Sequence, residues 1–199
     1  MALIRAFFAV PLSVAAEQQF VCHAQQLESY LHKQLGQEAL NRKTRIRWVS
    51  PVNYHLTVVF LGDIRPQDIE RLHTAALLVA EQFTVDTLHF SALQWFPSAL
   101  KPRLIVAIPE QNTTLLALYK TLSKSLRREG FNVENRAFRP HVSLARTKAL
   151  TTPADLSDFS LDINSALDEL VLFKSEQAAG GSIYTPLFVE PIGARLIRR

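Results

Sequence analysis

The stretch HLTVVFLG, from His55 to Gly62, governs the interpretation of the rest of the chain. It is apolar, rich in β-branched and aromatic residues, and ends at a glycine, a composition typical of a buried strand. Successive side chains of a strand point to opposite faces, so His55 and Thr57 share one face. The stretch therefore predicts an imidazole and a hydroxyl side by side on a rigid element.

A second stretch, RPHVSLAR from Arg139 to Arg146, repeats this arrangement with His141 and Ser143. The two histidines are too far apart in sequence for one local motif, but two facing strands would bring them together. The tripeptide alone is weak evidence, because His89-Phe90-Ser91 also fits it and three of the six histidines match. From the residues alone, the two pairs are a candidate catalytic constellation, and the alternative is a pair of strand residues without a chemical role.

The surroundings of the first and last copies distinguish them, since each has a proline on its N-terminal side and an arginine nearby. With these residues the chain resembles the 2H phosphoesterases, in particular their RNA 2′,3′-cyclic phosphodiesterase branch, also called 2′-5′ RNA ligases. The likeness runs through four segments: Arg5–Pro11, Arg47–Gly62, Arg139–Arg146, and Ser175–Tyr184 with its paired glycines. One departure is Ser143, where threonine is commoner in the family.

The apolar spacing predicts three helices. The first is capped by Ser13 and ended by Gly36, the second begins at Pro66, and the third ends at Gly130. We expect strands at 3–10, 85–96, 103–109, 168–175 and 183–189, besides those of the two motifs, and a loop at 151–160.

Three helices among seven or more strands with hairpin-like connections predict an α+β class with mostly antiparallel sheet. The resemblance implies a single domain over residues 1–199. It also implies two pseudo-symmetric lobes with outer helices and a cleft between their sheets, to which each lobe supplies one histidine.

The composition suits a globular domain with an anionic partner. The chain has 199 residues, 48% of them hydrophobic, a net charge of +4 and a pI of about 9.4. This balance favours nucleic acid as a partner, although it is also common in proteins that bind none. A basic loop over 41–47 is either a solvated turn or an RNA-phosphate contact, and the residues leave both open: Arg42, Lys43, Arg45 and Arg47.

Cys22 is the only cysteine, which excludes an intrachain disulfide and favours a reducing compartment such as the cytoplasm. The first 16 residues could pass for a signal peptide, but a strand stopped by Pro11 fits better because an amphipathic helix follows at once. No run approaches the ~18 apolar residues that span a membrane. We expect a cytoplasmic monomer.

The paired motifs suit the opening of a cyclic phosphodiester. This reaction needs a base to activate water and an acid to protonate the leaving ribose oxygen, and two imidazoles supply both near neutral pH. The hydroxyls of Thr57 and Ser143 can donate to the non-bridging oxygens. No metal or other cofactor is needed, and two distant histidines lack the further ligands of a zinc site. The chain has neither a phosphate-binding P-loop motif nor a Gly-x-Ser-x-Gly elbow.

The resemblance, rather than the spacing, implies the individual roles. His55 would be the proton donor to the leaving oxygen and His141 the proton acceptor from water, giving a 2′-phosphate and a 3′-hydroxyl. Arg146 matches a family arginine that lies near the base or the phosphate, and Phe8 or its neighbour Phe7 would stack on a base.

Two other functions compete with hydrolysis of RNA ends. The fold could bind nucleotides or RNA ends without turnover, although both histidines and both hydroxyls are intact. Ligation of RNA halves, the reverse reaction, ranks second because hydrolysis is favoured in water. Turnover of a cyclic nucleotide distinguishes an enzyme from a binding module.

Overall fold

The computed structural model describes residues 2–39, 45–135, 137–148, 150, 153–179 and 181–193. Its elements, in chain order, are β1 (Ile4–Pro11), α1 (Val14–Ala39), β2 (Arg45–Trp48), β3 (His55–Ile64), α2 (Ile69–Ala80), β4 (Asp86–Phe96), β5 (Leu104–Pro109), α3 (Thr113–Arg128), β6 (Val142–Lys148), β7 (Ser160–Leu167), β8 (Glu169–Ala178) and β9 (Gly181–Pro191). Short 3₁₀ turns over 51–53 and 66–68 precede β3 and α2. The predicted α+β class is confirmed.

The strands form one antiparallel sheet of nine strands in the order β7-β4-β5-β6-β3-β1-β8-β9, with β2 added beside β6. Two halves of this sheet, β7 to β6 and β3 to β9, meet at one residue pair, Leu56 opposite Val142. The two expected lobes are therefore two halves of a continuous sheet.

All three helices pack on the same face of the sheet. The core contains apolar side chains from each helix together with Leu56 and Val142, which are fully buried. A second set of buried apolar residues lies outside this core, on the opposite face: Phe7, Ala9, Val106 and Val171. No helix of the described residues covers that opposite face, which we call the open face.

The first helix begins as predicted and ends later. The amide of Ala16 donates to the Ser13 hydroxyl over 3.3 Å, which is the expected cap. The prediction that Gly36 ends the helix is wrong, since α1 continues to Ala39. An interior glycine costs about 1 kcal/mol relative to alanine, and the good helix formers over 37–39 follow it.

Two strands were not predicted. Arg45 and Arg47 lie in β2 rather than in the expected basic loop, while Arg42 and Lys43 lie outside the described residues. Strand β7 begins where the loop over 151–160 was expected to end. Polar and apolar residues alternate along this segment of the sequence, and this pattern, which matches the observed burial, could have revealed the strand.

Candidate active site

The two histidine motifs meet where the halves of the sheet join. Leu56 of β3 lies opposite Val142 of β6, and both point into the core. The residues on either side of them therefore point to the open face: His55, Thr57, His141 and Ser143. In this antiparallel register each histidine lies across from the hydroxyl residue of the other strand. The two histidines are diagonal neighbours, a relation that separates residues by about 7–8 Å and leaves room for a phosphate between the rings.

Both imidazoles are held in the same way. Nδ1 of His55 lies 2.8 Å from the carbonyl oxygen of Asn53, and Nδ1 of His141 lies 2.7 Å from that of Arg139. A carbonyl oxygen only accepts, so each Nδ1 carries a proton and donates it. Each Nε2 is therefore the atom that can exchange a proton with a ligand. In the neutral state of His55, Nε2 accepts from the Thr57 hydroxyl 3.1 Å away.

Aromatic rings surround His55. The ring centroids of Phe7 and Tyr184 lie 4.9 and 5.1 Å from the imidazole, and that of Phe173 lies 6.1 Å away. This burial lowers the pKa of His55 from 6.5 to about 4, and the charge of His141 lowers it further against the opposing bond to the Asn53 carbonyl. At neutral pH His55 is therefore uncharged, and an anion bound beside it would favour its protonation.

The surroundings of His141 are different. Its ring stacks on Phe96, with 4.5 Å between the centroids and 29° between the planes. The guanidinium of Arg139 lies 4.4 Å from the Phe96 centroid and donates to the carbonyl of Pro97 over 3.1 Å. His141 therefore has one aromatic ring with a guanidinium beside it, whereas His55 has three aromatic rings around it.

An irregularity in β3 changes the face of the residues after Thr57. Thr57 pairs with Ala9 of β1, while Val59 pairs with Phe8, the residue before Ala9. Val58 is therefore an extra residue, and both valines turn into the core. Phe60, opposite Phe7, returns to the open face and is 48% exposed.

The same irregularity occurs in β6. Ser143 pairs with Val106 of β5 and Ala145 with Ile105, so Leu144 is the extra residue. Leu144 and Ala145 both turn into the core, which brings Arg146 to the open face on the side of Ser143. Strict alternation from Ser143 would have placed Arg146 on the face of the helices.

Comparison with known proteins agrees with this geometry. A model described as "LigT like Phosphoesterase" matches the chain twice, over residues 31–106 and 106–184, and so covers the two histidine motifs in turn. The chain belongs to the LigT-like phosphoesterase family. This confirms the resemblance stated from the two motifs.

Relatives and solved structures extend the match. The RNA 2′,3′-cyclic phosphodiesterase of Escherichia coli is 31% identical over 71% of this chain and 77% of its own length. The RNA 2′,3′-cyclic phosphodiesterase of Bacillus subtilis is 32% identical over 50% of this chain. The matched part spans about half of that relative's length (55%). A Thermus thermophilus structure superposes with a TM-score of 0.79 at 21% identity, covering 96% of this chain and 100% of its own. Escherichia coli LigT complexed with 3′-AMP gives 0.71 at 24%, covering 96% and 99%. These two structures support the fold.

One predicted contact of this LigT-like chain is corrected. Phe8 is 0% exposed and lies in the core, where it packs against Phe188, so it cannot stack on a base. Phe7 lies on the open face but is 3% exposed, beneath its aromatic neighbours. The exposed ring on this part of the open face is Phe60, whose centroid lies 5.9 Å from that of Phe7. Phe7 and Phe8 are adjacent and equally apolar, so the sequence did not show which of them faces the core.

The third copy of the tripeptide has different surroundings. Nε2 of His89 lies 3.0 Å from Asp162 and Nδ1 lies 3.3 Å from Glu110, so both nitrogens face carboxylates. The hydrogen bonds to Asp162 and then to Glu110 raise the pKa of His89. The two carboxylates therefore favour the charged form of His89, whereas His55 and His141 donate to backbone carbonyls.

Two residues that contact the histidines were not predicted from the sequence: Asn53, which accepts from His55, and Phe96, which stacks on His141. One signal was present, since Asn53 precedes its histidine by two residues as Arg139 precedes His141. Within the described ranges, no cluster of three or more His, Cys, Asp or Glu side chains could hold a metal ion. No described helix is long and apolar enough to cross a bilayer.

Proposed function

We propose that this protein hydrolyses RNA 2′,3′-cyclic phosphate ends to 2′-phosphates by metal-independent acid–base catalysis with His55 and His141. The observation that carries the proposal is the antiparallel pairing of β3 with β6 at Leu56 and Val142, which sets two imidazoles diagonally on the open face. Each imidazole donates from Nδ1 to a carbonyl, so Nε2 is the atom of each ring that can exchange a proton with a ligand. The names of the curated relatives point to the same substrate class.

The proposed reaction begins with the cyclic phosphate between the two rings. Nε2 of His141 takes a proton from the attacking water, which forms a new bond to phosphorus. The bond from phosphorus to the 3′-oxygen breaks, and Nε2 of His55 protonates that oxygen. The products are a 2′-phosphate and a 3′-hydroxyl. Water then returns each histidine to its starting protonation state.

The hydroxyls and the residues after the bulges complete the proposed site. Thr57 and Ser143 donate to the non-bridging oxygens, where charge develops. Phe60 replaces Phe8 as the ring that stacks on a base, since it is exposed on the open face. Arg146 contacts the base or the phosphate.

The phosphate also supplies the condition that the proton donor needs. Burial keeps His55 uncharged in the free protein, with a pKa of about 4. A bound phosphate anion favours the imidazolium and raises this pKa, so the substrate itself prepares the acid.

The test is incubation with an oligonucleotide that ends in a 2′,3′-cyclic phosphate, in buffer containing EDTA, followed by identification of the product end. We expect a 2′-phosphate, formed at the same rate with and without EDTA. Loss of activity in EDTA that zinc or magnesium restores would make the histidines metal ligands. Tight binding without turnover would indicate a binding module, and joined ends would indicate a ligase. The cytoplasmic location, the monomeric state and the single domain stay predictions.

A further inference from the structure

Two arginines lie directly opposite each other beside the proposed site. Strand β2 pairs with β6 so that Arg47 faces Arg146 and Trp48 faces Ala145. Residues that pair across antiparallel strands share a face, so Arg47 lies on the open face with Arg146. Both side chains are exposed.

This pairing costs stability in the free protein. Like charges directly opposite each other on neighbouring strands are destabilising. Among the described residues, neither Arg47 nor Arg146 forms an ion pair with a carboxylate, whereas Arg65 and Arg71 both do. An anionic ligand on the open face would relieve the repulsion.

The backbone at the start of β9 passes close to the Arg47 guanidinium. Gly181 has a φ of +133°, and a Cβ added there would lie 2.6 Å from Nη2 of Arg47. Only a glycine lets the chain pass so close to that group without displacing it. The next residue, Ser182, accepts a hydrogen bond of 2.9 Å from the Asn53 side chain, just before His55. The same strand end therefore contacts both Arg47 and the segment that orients the proposed proton donor.

The distance of the two arginines from the hydroxyls along the sheet suits contact with a second phosphate. Arg146 follows Ser143 by three residues, one of them bulged, so its backbone lies about 7–10 Å further along the strand. A cyclic phosphate held by the hydroxyls leaves the arginines beyond the scissile group, at a distance that a neighbouring phosphodiester of an RNA end can reach. The planar guanidinium, with its fork of donors, suits phosphodiester oxygens better than it suits a neutral base edge.

We propose that Arg47 binds the phosphodiester preceding the cyclic phosphate, so that the protein favours an oligonucleotide end over a cyclic mononucleotide. This inference rests on the proposed function, which it makes more specific. It gives Arg47 a role separate from that of Arg146, which contacts the terminal nucleotide.

The test compares a 2′,3′-cyclic mononucleotide with a dinucleotide that carries the same cyclic end. Arg47→Gln should lower kcat/KM for the dinucleotide about tenfold, mainly through KM, because one charge-assisted contact is lost. The mononucleotide should change by less than about twofold, since it has no second phosphate. Arg128→Gln is the matched control, because it removes one exposed arginine at the end of α3, on the helix side of the sheet.

Two further measurements separate a phosphate contact from a structural role. Arg47→Lys should recover part of the lost dinucleotide affinity, since it keeps the charge but not the fork. The slope of log affinity for a 2′-phosphate dinucleotide against log salt should fall by about 0.7 in Arg47→Gln, as for one lost phosphate contact on a single strand.

The outcomes distinguish this inference from the proposed function. Equal losses on both substrates, or no loss on either, would overturn the role of Arg47 while leaving the hydrolase in place. A wild-type protein that turns over neither substrate would overturn the proposed function. The salt series on the 2′-phosphate dinucleotide would then still decide the role of Arg47, and an unchanged slope would overturn it.

Discussion

The β3 half and the β6 half of the site use the same backbone design with different side chains. Each half has a histidine at the start of its strand or just before it, then a hydroxyl two residues later, then an extra residue that shifts the alternation. The next residue on the open face is Phe60 in one half and Arg146 in the other. The histidine and hydroxyl that both halves share can act on the phosphate. Phe60 and Arg146, which differ between the halves, can recognise other parts of a nucleotide.

The two histidines also differ in their surroundings. His55 lies among three rings, and its burial lowers its pKa to about 4 in the free protein. His141 stacks on one ring, Phe96, close to an arginine. One residue type in two environments can supply an acid and a base, because burial and neighbouring charges change the preferred protonation state.

The largest expected effect tests whether both halves are needed. His55→Ala and His141→Ala should each fold but lose roughly 10²-fold or more in kcat, since each removes a positioned acid or base. The measurement is steady-state turnover of a cyclic-phosphate dinucleotide, with circular dichroism to verify folding. His89→Ala is the control and should stay active, because its ring is held by carboxylates. Near wild-type turnover in either of the first two variants would break the pairing.

The next effect tests whether the two hydroxyls are equivalent. Thr57→Val and Ser143→Ala should each lower kcat by about tenfold to 10²-fold, as expected for loss of one donor to a developing charge. Ser143→Thr keeps the hydroxyl and should retain most of the rate. A much larger loss in one half would mean that the phosphate oxygens lie closer to that strand.

A smaller effect separates the residues after the bulges. Arg146→Gln should lower kcat/KM about tenfold and weaken its salt dependence if the arginine contacts phosphate. Phe60→Leu should lower kcat/KM about fivefold without changing the salt dependence, because stacking on a base carries no charge. Kinetics at several salt concentrations measure both. Identical salt behaviour in the two variants would contradict a division between ring and cation.

The smallest expected effect is a displacement of the pH profile. Both kcat and kcat/KM should be bell-shaped, with limbs that belong to the coupled pair of histidines. In the free protein the pKa of His55 is about 4, so its protonated form is lost as the pH rises through that value. A bound phosphate raises this pKa, so the kcat bell should lie at higher pH than the kcat/KM bell.

Variants assign the limbs of that profile. His141→Ala should remove the acidic limb from any residual activity, and His55→Ala should remove the basic limb. The reverse pattern would keep the mechanism and exchange the two roles. A flat wild-type profile from about pH 5 to 9 would contradict histidine acid–base catalysis as the rate-limiting step.

The sequence by itself determined the elements that rest on local pattern. The runs of β-branched and aromatic residues around His55 and His141 specified two strands, and a period of two placed each hydroxyl on the face of its histidine. Apolar spacing found the three helices, and Ser13 marked the start of the first. The interior glycine of α1 misled because the propensity cost of one residue is small beside the packing of the whole helix.

Only the tertiary structure decided which further residues reach the site. Val58 and Leu144 are ordinary strand residues in sequence, and they become extra residues only because their partner strands pair around them. That pairing turns Phe60 and Arg146 towards the open face, against the alternation that the sequence predicts. It also buries Phe8. A period of two is a local property of one strand, whereas register, bulges and the burial that lowers the pKa of His55 depend on strands that are distant in sequence.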